Sequence, residues 1–233
     1  MPLYADRRGA GNALALVVRR ELPGQDIVVI GLPRGGVPVA YEVAEILRAP
    51  LDVVVVRKLG VPGQEELALG ALASGGIRFL NRELIRFLGI SEEEIEKITK
   101  RESSELDRRE RLYRDGNPAV PVEGKTVVLV DDGLATGASM SAAASALGSR
   151  GAPRIVVAVP VGAQATCQEF EKKVDQVICL ATPEPFASVG NWYEGFSATS
   201  DEEVRQLLTA ARLGYSNGTK MTNGASNSWG ADK

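Results

Sequence analysis

Short apolar segments bounded by glycine or proline alternate along the chain with longer segments of helical periodicity. The apolar segments are predicted strands, at residues 27–31, 51–56, 126–130, 155–160 and, less strongly, 176–180. The helical pattern covers residues 6–21, 36–47, 138–150, 163–173 and 201–211, the last with Ser200 as its N-cap. Several strands are apolar on both faces, which is typical of a parallel sheet covered by helices. The pattern therefore predicts an α/β fold, a parallel sheet flanked by helices.

A long excursion, residues 59–123, interrupts this alternation between the second and third strong strands. It contains the sequence Ser-Glu-Glu-Glu at residues 91–94, a capping box that opens a charged helix reaching about Arg114. The apolar stripe of this helix is thin, comprising Ile95, Ile98, Leu106, Leu112 and Tyr113. The pattern favours a solvated helix that lies over the domain or pairs with another subunit, rather than a nucleic-acid-binding helix.

The C-terminal residues differ in composition from the rest of the chain. Residues 216–233 are rich in Gly, Asn, Ser and Thr and nearly free of apolar side chains. Such a segment buries too little apolar surface to offset the entropy lost on ordering. We expect one domain at residues 1–215 and a flexible tail at 216–233.

Composition narrows the classes of function. The chain of 233 residues is 44% hydrophobic and 24% charged, as in ordinary globular proteins. Its apolar runs are far shorter than the roughly 20 residues of a membrane-spanning helix, and its first residues lack the apolar core of a secretory signal. We therefore expect a cytoplasmic protein with no membrane contact. The net charge of −3 gives no general attraction to nucleic acid, and none is expected as a partner.

Histidine and cysteine usage excludes several kinds of site. The chain has no histidine, so no Ser-His-Asp or Cys-His triad and no histidine metal ligand is available. Cys167 and Cys179 are too few for a disulfide framework, and their spacing fits no four-ligand zinc pattern. We expect both to be buried free thiols.

The most informative segment joins an apolar strand, two acids and a small-residue turn that enters a helix. Asp131 and Asp132 follow the strand at residues 126–130, and the turn comprises Ala135, Thr136, Gly137, Ala138 and Ser139. Ligands of open α/β sheets bind at the carboxyl ends of strands, and a helix N-terminus offers N–H donors to a phosphate. The acids would then face ribose hydroxyls or Mg²⁺, so a phosphorylated sugar fits both halves. The alternative is an ordinary Asp-Asp-Gly turn before a helix.

Two further segments carry basic or glycine-rich strand ends. Arg34, Gly35 and Gly36 follow the strand at residues 27–31 and enter a helix. Arg57 and Lys58 lie at the end of the next predicted strand. Taken alone, the first also fits simple tight strand-to-helix packing and the second a solvated strand end.

These three segments, in this order, resemble the type I phosphoribosyltransferase family. The resemblance implies that fold, with an inserted charged helix and a reduced or atypical hood. It implies that Asp131 and Asp132 are catalytic and hold the ribose 2′- and 3′-hydroxyls of phosphoribosyl pyrophosphate. The turn at residues 135–139 would bind the 5′-phosphate. The pyrophosphate would be bound by Arg34, Gly35, Gly36, Arg57 and Lys58, with Lys58 also among the catalytic residues, and residues 60–76 would be a mobile loop.

The sequence departs from the family pattern at Gly133, where an aliphatic residue is usual, which leaves the stiffness of the turn open. Enzymes of the family that use 6-oxopurines usually have Asp in the position of Ala135, which argues against hypoxanthine or guanine as acceptor. A cluster of aromatic residues could stack on a base or form a satellite core beneath the loops; it comprises Phe186, Trp192, Tyr193 and Phe196.

The function implied by the resemblance is a Mg²⁺-dependent phosphoribosyltransferase. Its partners would be phosphoribosyl pyrophosphate, an unknown small-molecule acceptor such as a nucleobase, and a second copy of the chain in a homodimer. Mg²⁺ would be held mostly by substrate oxygens, with no firm protein ligand. The alternative is a non-catalytic regulator that binds phosphoribosyl pyrophosphate or a sugar phosphate. The retained Arg34, Arg57 and Lys58 favour catalysis.

Overall fold

The computed structural model describes residues 1–224. Its helices are α1 (Arg7–Glu21), α2 (Gly36–Leu47), α3 (Arg82–Leu88), α4 (Glu92–Arg114), α5 (Ala138–Ser149), α6 (Gln164–Phe170) and α7 (Asp201–Gly224), with a 3-10 helix at Val189–Trp192. Its strands are β1 (Ile27–Gly31), β2 (Leu51–Val53), β3 (Val56–Val61), β4 (Gln64–Ala73), β5 (Ile77–Leu80), β6 (Thr126–Val130), β7 (Arg154–Val161) and β8 (Gln176–Ala181).

Five of these strands form a parallel sheet in the order β2-β1-β6-β7-β8, which confirms the predicted fold class. All residues of β1 and β6 are buried, as their apolar sequences predict. The two strands pair in register to their ends, where Gly31 lies opposite Val130. The turns that follow β1 and β6 therefore start side by side at one edge of the sheet.

Helices cover both faces of the sheet. Val29 and Val128 face a core cluster shared with Leu14 of α1, Val43 of α2 and Leu208 of α7. The alternate strand residues, such as Ile30 and Leu129, face a second cluster shared with Met140 of α5 and Phe170 of α6. The helix after β1 thus lies on one face and the helix after β6 on the other. In open α/β sheets, ligands bind in a crevice at such a point, outside the carboxyl ends of the strands.

The excursion after β2 forms a second, antiparallel sheet in the order β3-β4-β5. The predicted continuous strand at residues 51–56 was wrong, because the chain leaves the main sheet after Val53. The Val54 N–H donates to the Gly31 carbonyl, and the Val55 N–H donates to Ser74 Oγ, which redirects the chain into β3. Residues 60–76, predicted as a loop, contain most of the β3–β4 hairpin.

The predicted charged helix is confirmed as α4, and both capping-box hydrogen bonds between Ser91 and Glu94 form. Its apolar stripe packs into the core on the α1 side of the sheet, with Ile95, Leu106 and Tyr113 buried. Its last residue, Arg114, forms a buried ion pair with Asp52 of β2 at 3.0 Å. The inserted helix therefore lies over the domain.

Helix α7 begins after Ser200, whose hydroxyl accepts a hydrogen bond from the Glu203 N–H as an N-cap. It continues beyond its predicted end to Gly224, so the first part of the predicted tail has a helical backbone. The rest of that tail, residues 225–233, lies outside the described residues. Of the helices within residues 1–224, none combines the length and the apolar character needed to cross a membrane.

Candidate functional site

The acids after β6 contact the glycines after β1. The Leu32 N–H donates to the Val130 carbonyl at 2.9 Å, which holds the two turns together. A Cβ at Gly36 would lie 2.8 Å from both Cα and Oδ1 of Asp131, and a Cβ at Gly35 would collide with the Asp132 carboxylate. Glycine at both positions therefore allows this contact. The structure brings together two segments that are about a hundred residues apart in the sequence.

The two carboxylates have different partners. Oδ1 of Asp131 accepts a hydrogen bond from the Asp132 N–H at 2.9 Å. Oδ2 of Asp132 accepts one from Arg7 Nε at 2.8 Å. Burial raises the pKa of Asp131 well above its usual value, and the neighbouring Asp132 charge raises it further. Burial also raises the pKa of Asp132, while Arg7 opposes that shift. The pair is thus a desolvated acidic site that would gain from hydroxyl donors or positive charge.

The predicted phosphate turn ends at the N-terminus of α5. Gly137 has φ +73°, and a Cβ there would lie 2.5 Å from Phe170 Cε2, so both the backbone and the packing require glycine. Thr166 Oγ1 donates to the Ala135 carbonyl at 2.6 Å and fixes the start of the turn. Among the described residues, no side chain caps α5. Its first N–H groups, beside the exposed Ser139, therefore offer donors to an anion.

Val189 of the 3-10 helix explains the departure at Gly133. A Cβ at Gly133 would lie 2.5 Å from Val189 Cγ1, so Val189 fills the space that an aliphatic side chain at position 133 would occupy. Leu134 is held on both sides, since its N–H donates to the Val161 carbonyl and its carbonyl accepts from the Ala163 N–H. The acid turn is therefore packed and hydrogen-bonded without a side chain at 133.

The predicted pyrophosphate residues lie on two different parts of the fold. Arg34 is exposed in the turn between β1 and α2, and the Pro33–Arg34 peptide bond is cis. Arg57 and Lys58 lie on β3 of the small sheet, and the Lys58 side chain is exposed. Arg57 donates from Nε at 2.9 Å and from Nη2 at 2.6 Å to Glu102 of α4. The inserted helix therefore holds one of the predicted pyrophosphate ligands.

Arg7 and Tyr193 contact Asp132; the sequence analysis did not single out Arg7, and it named Tyr193 only as a member of the aromatic cluster. Tyr193 Oη donates to the Asp132 carbonyl at 2.6 Å, and Arg7 pairs with the Asp132 side chain. The sequence held one signal for Arg7. It is a cation in the first turn of a helix, where the helix dipole disfavours positive charge, so a partner elsewhere in the fold was to be expected.

The aromatic cluster is mainly a satellite core, one of the two interpretations left open by the sequence. Phe186, Trp192 and Tyr193 pack with Tyr4 and Val161. Phe196 is 37% exposed and lies under the Arg7 guanidinium, whose central carbon is 3.9 Å from the ring centroid.

The remaining expectations concern thiols and metal ligands. Cys167 and Cys179 are free; Cys167 is buried, as expected, and Cys179 is half-buried. Within residues 1–224, there is no cluster of three or more Asp, Glu or Cys side chains that could hold a metal ion.

Comparison with known proteins gives concordant matches. Residues 9–190 match the family model described as the phosphoribosyl transferase domain. Two curated proteins of Mycobacterium tuberculosis, from strains CDC 1551 and H37Rv, are 45% identical over 215 residues, which are 92% of this chain and 48% of each relative. Both are provisionally named phosphoribosyl transferases, and the chain spans about half their length. The crystal structure of TT1426 from Thermus thermophilus is 42% identical, with a TM-score of 0.78, over 90% of this chain and 99% of that one.

Proposed function

The chain belongs to the phosphoribosyl transferase domain family, and on that premise we propose that it transfers the phosphoribosyl group of phosphoribosyl pyrophosphate to an acceptor, displacing pyrophosphate. The observation that carries this proposal is the contact between the acid pair and the glycine turn. It puts a carboxylate pair directly beside a glycine-rich turn at a helix start. A phosphorylated sugar with a second anionic group has complementary chemistry.

The proposed ligand spans the crevice between the two turns. Residues 135–139 and the uncapped start of α5 would bind the 5′-phosphate. Asp131 and Asp132 would accept hydrogen bonds from the ribose 2′- and 3′-hydroxyls. The pyrophosphate would lie against Gly35 and Gly36, with positive charge supplied by Arg34, Arg57 and Lys58.

The charges of the site fit this reaction. When the bond between C1′ and pyrophosphate breaks, positive charge develops on the ribose ring and negative charge on the leaving group. The desolvated acids would stabilise the positive charge on the ribose ring, because opposite charges attract more strongly in a buried site than in water. The arginines and Lys58 would stabilise the negative charge on the leaving group. No step needs a histidine.

Mg²⁺ fits as an ion carried by the substrate. The described residues present no three-ligand group, and Asp132 already pairs with Arg7. The pyrophosphate oxygens and water would supply most of its ligands, as Mg²⁺ prefers. Bound there, the ion would neutralise charge on the leaving group.

The acceptor is proposed only as a class. The position of Ala135 argues against hypoxanthine and guanine through the family resemblance. Nucleobases of other kinds and small amines are the acceptors to test.

The test is pyrophosphate release from phosphoribosyl pyrophosphate and Mg²⁺ across such a panel. Release that depends on one acceptor, and that is lost in Asp131→Asn/Asp132→Asn, would support the proposal. Tight donor binding with no release for any acceptor would instead identify a non-catalytic regulator. Absence of donor binding would contradict the site assignment itself.

A further inference from the structure

Arg7 lies at the N-terminus of α1, where interactions within the helix do not favour a positively charged side chain. It is the first residue of α1, directly after the N-cap Asp6, whose side chain accepts a hydrogen bond from the Gly9 N–H at 2.8 Å. The positive end of the helix dipole repels a cation here. The stabilisation must come from partners outside α1.

Three contacts from other parts of the chain hold the guanidinium of Arg7. Its Nε donates to Asp132 Oδ2 at 2.8 Å, its Nη1 donates to the Ser197 carbonyl at 2.8 Å, and its central carbon lies over the Phe196 ring, 3.9 Å from the centroid. The Arg7 and Asp132 side chains are only 12% and 14% exposed. The next residue provides a contrast, because Arg8 pairs with Glu42 while 71% exposed. Arg7 is thus a desolvated partner of one proposed ribose-binding acid.

We propose that Arg7 is the positioning residue of the ribose site, and that it holds the Asp132 carboxylate where the ribose hydroxyls would meet it. This inference rests on the proposed function. Arg7 engages Oδ2, so Oδ1 lies outside the ion pair. Fixing one oxygen of a carboxylate orients the other, which lowers the entropy lost when a hydroxyl binds.

The charges around Asp132 give Arg7 a second effect. The ionisable groups that bear on it are Asp131, Arg7 and Tyr193, with Tyr4 behind Tyr193. Arg7 is the cation among them, and it is the group whose charge and hydrogen bond oppose the rise in the pKa of Asp132. Without Arg7, that pKa rises further. Asp132 is then protonated at a higher pH and accepts hydroxyl protons less well.

The experiment measures binding of ribose 5-phosphate and of inorganic phosphate by calorimetry, at several pH values, for wild type, Arg7→Gln and Arg8→Gln. Arg8→Gln removes the same charge one residue away and serves as the matched control. We expect Arg7→Gln to weaken ribose 5-phosphate binding about ten- to a hundredfold, the range for losing a neighbour that orients a ligand-binding group. Its phosphate affinity should stay unchanged, because the turn at residues 135–139 is intact. As the pH is lowered, the ribose 5-phosphate affinity of Arg7→Gln should begin to fall at a higher pH than the affinity of wild type, because Asp132 is protonated earlier.

A second variant, Arg7→Lys, tests the inference in case Arg7→Gln fails to fold. Arg7→Lys keeps the charge but not the planar fork, so it should keep the wild-type pH profile while binding ribose 5-phosphate more weakly. Equal effects of Arg7→Gln and Arg8→Gln, or equal weakening of phosphate and ribose 5-phosphate, would overturn the inference. If wild type binds ribose 5-phosphate but releases no pyrophosphate, only the proposed catalysis fails. If it binds neither ligand, both proposals fail.

Discussion

At the scale of single residues, the site depends on the absence of side chains as much as on their presence. Gly35 and Gly36 let the acids approach the turn after β1, and Gly137 lets the turn at residues 135–139 pass over Phe170. For Gly35 and Gly36, tight strand-to-helix packing was one of the two interpretations that the sequence left open, and the structure shows such packing against the acids. The partner of Asp132 was not predictable in the same way, because Arg7 lies 125 positions away and its contact depends on tertiary packing.

The desolvated acids should lower the stability of the protein at neutral pH. The folded-state pKa of Asp131 is raised above its unfolded value, mainly by burial and then by Asp132. Its contribution to stability is therefore fully present below the unfolded pKa of about 3.9 and is lost as pH rises through the folded pKa. We expect Asp131→Asn to be more stable than wild type at pH 7, with the difference vanishing in acid. Urea denaturation at a series of pH values measures this, and a variant less stable at pH 7 would show that Asp131 is well compensated.

At the scale of elements, ion pairs attach the inserted helix α4 to the rest of the fold. Arg114 pairs with Asp52 of β2, and Glu102 pairs with Arg57 of β3. The capping box made the start of α4 predictable because its signal is local. The small sheet was not predicted, since charged residues and glycines interrupt the apolar residues of its strands, which are defined by pairing with each other. Buried ion pairs leave no periodic signal in the sequence.

Asp52→Asn should destabilise the protein by about 1–3 kcal/mol, because it removes one charge partner of the buried Arg114, which keeps its ion pair with Glu110 on the same helix. Asp52 Oδ2 also accepts a hydrogen bond from the Val120 N–H at 2.9 Å, so the substitution also affects the segment between α4 and β6. Glu92→Gln is the control on the same helix, since its pair with Arg82 is exposed and is worth about 0–1 kcal/mol. Urea denaturation compares them. Equal effects would mean that the ion pair with Arg114 does not hold α4.

Arg34, in the turn after β1, and Lys58, on β3, should discriminate between ligands that share a ribose phosphate. Arg34→Ala and Lys58→Ala should each weaken phosphoribosyl pyrophosphate about ten- to a hundredfold, the range for a lost charged contact. They should weaken ribose 5-phosphate much less, because it lacks the pyrophosphate. Calorimetric titration of both ligands measures the ratio. Equal weakening of the two would remove these residues from the pyrophosphate site.

At the scale of the whole molecule, the order of the strands in the sheet determines where the candidate site lies. The sequence predicted most of the strands and helices, and the resemblance supplied their roles. It did not predict the order β2-β1-β6, which places α2 and α5 on opposite faces and their turns side by side, the place of the proposed ligand crevice. Strand order is set by how helices pack on a sheet, which no local segment encodes. The crevice is therefore a property of the assembled sheet, and a ligand bound there should stabilise the fold as a whole.

We expect phosphoribosyl pyrophosphate with Mg²⁺ to raise the thermal midpoint of unfolding. A ligand that binds only the folded state at about a hundred times its Kd adds about 2.7 kcal/mol. For a chain of this size, each kcal/mol raises the midpoint by about 2–4 °C, so a shift of about 5–10 °C is expected. At the same concentration ribose 5-phosphate should shift the midpoint less, because it would contact the acids and the α5 turn but lacks the group that would meet Arg34 and Lys58. Scanning calorimetry with each ligand measures both shifts. In the Asp131→Asn/Asp132→Asn variant, both ligands should shift the midpoint less than they do in wild type. No shift with either ligand at millimolar concentration would mean that the crevice does not bind a phosphoribosyl group.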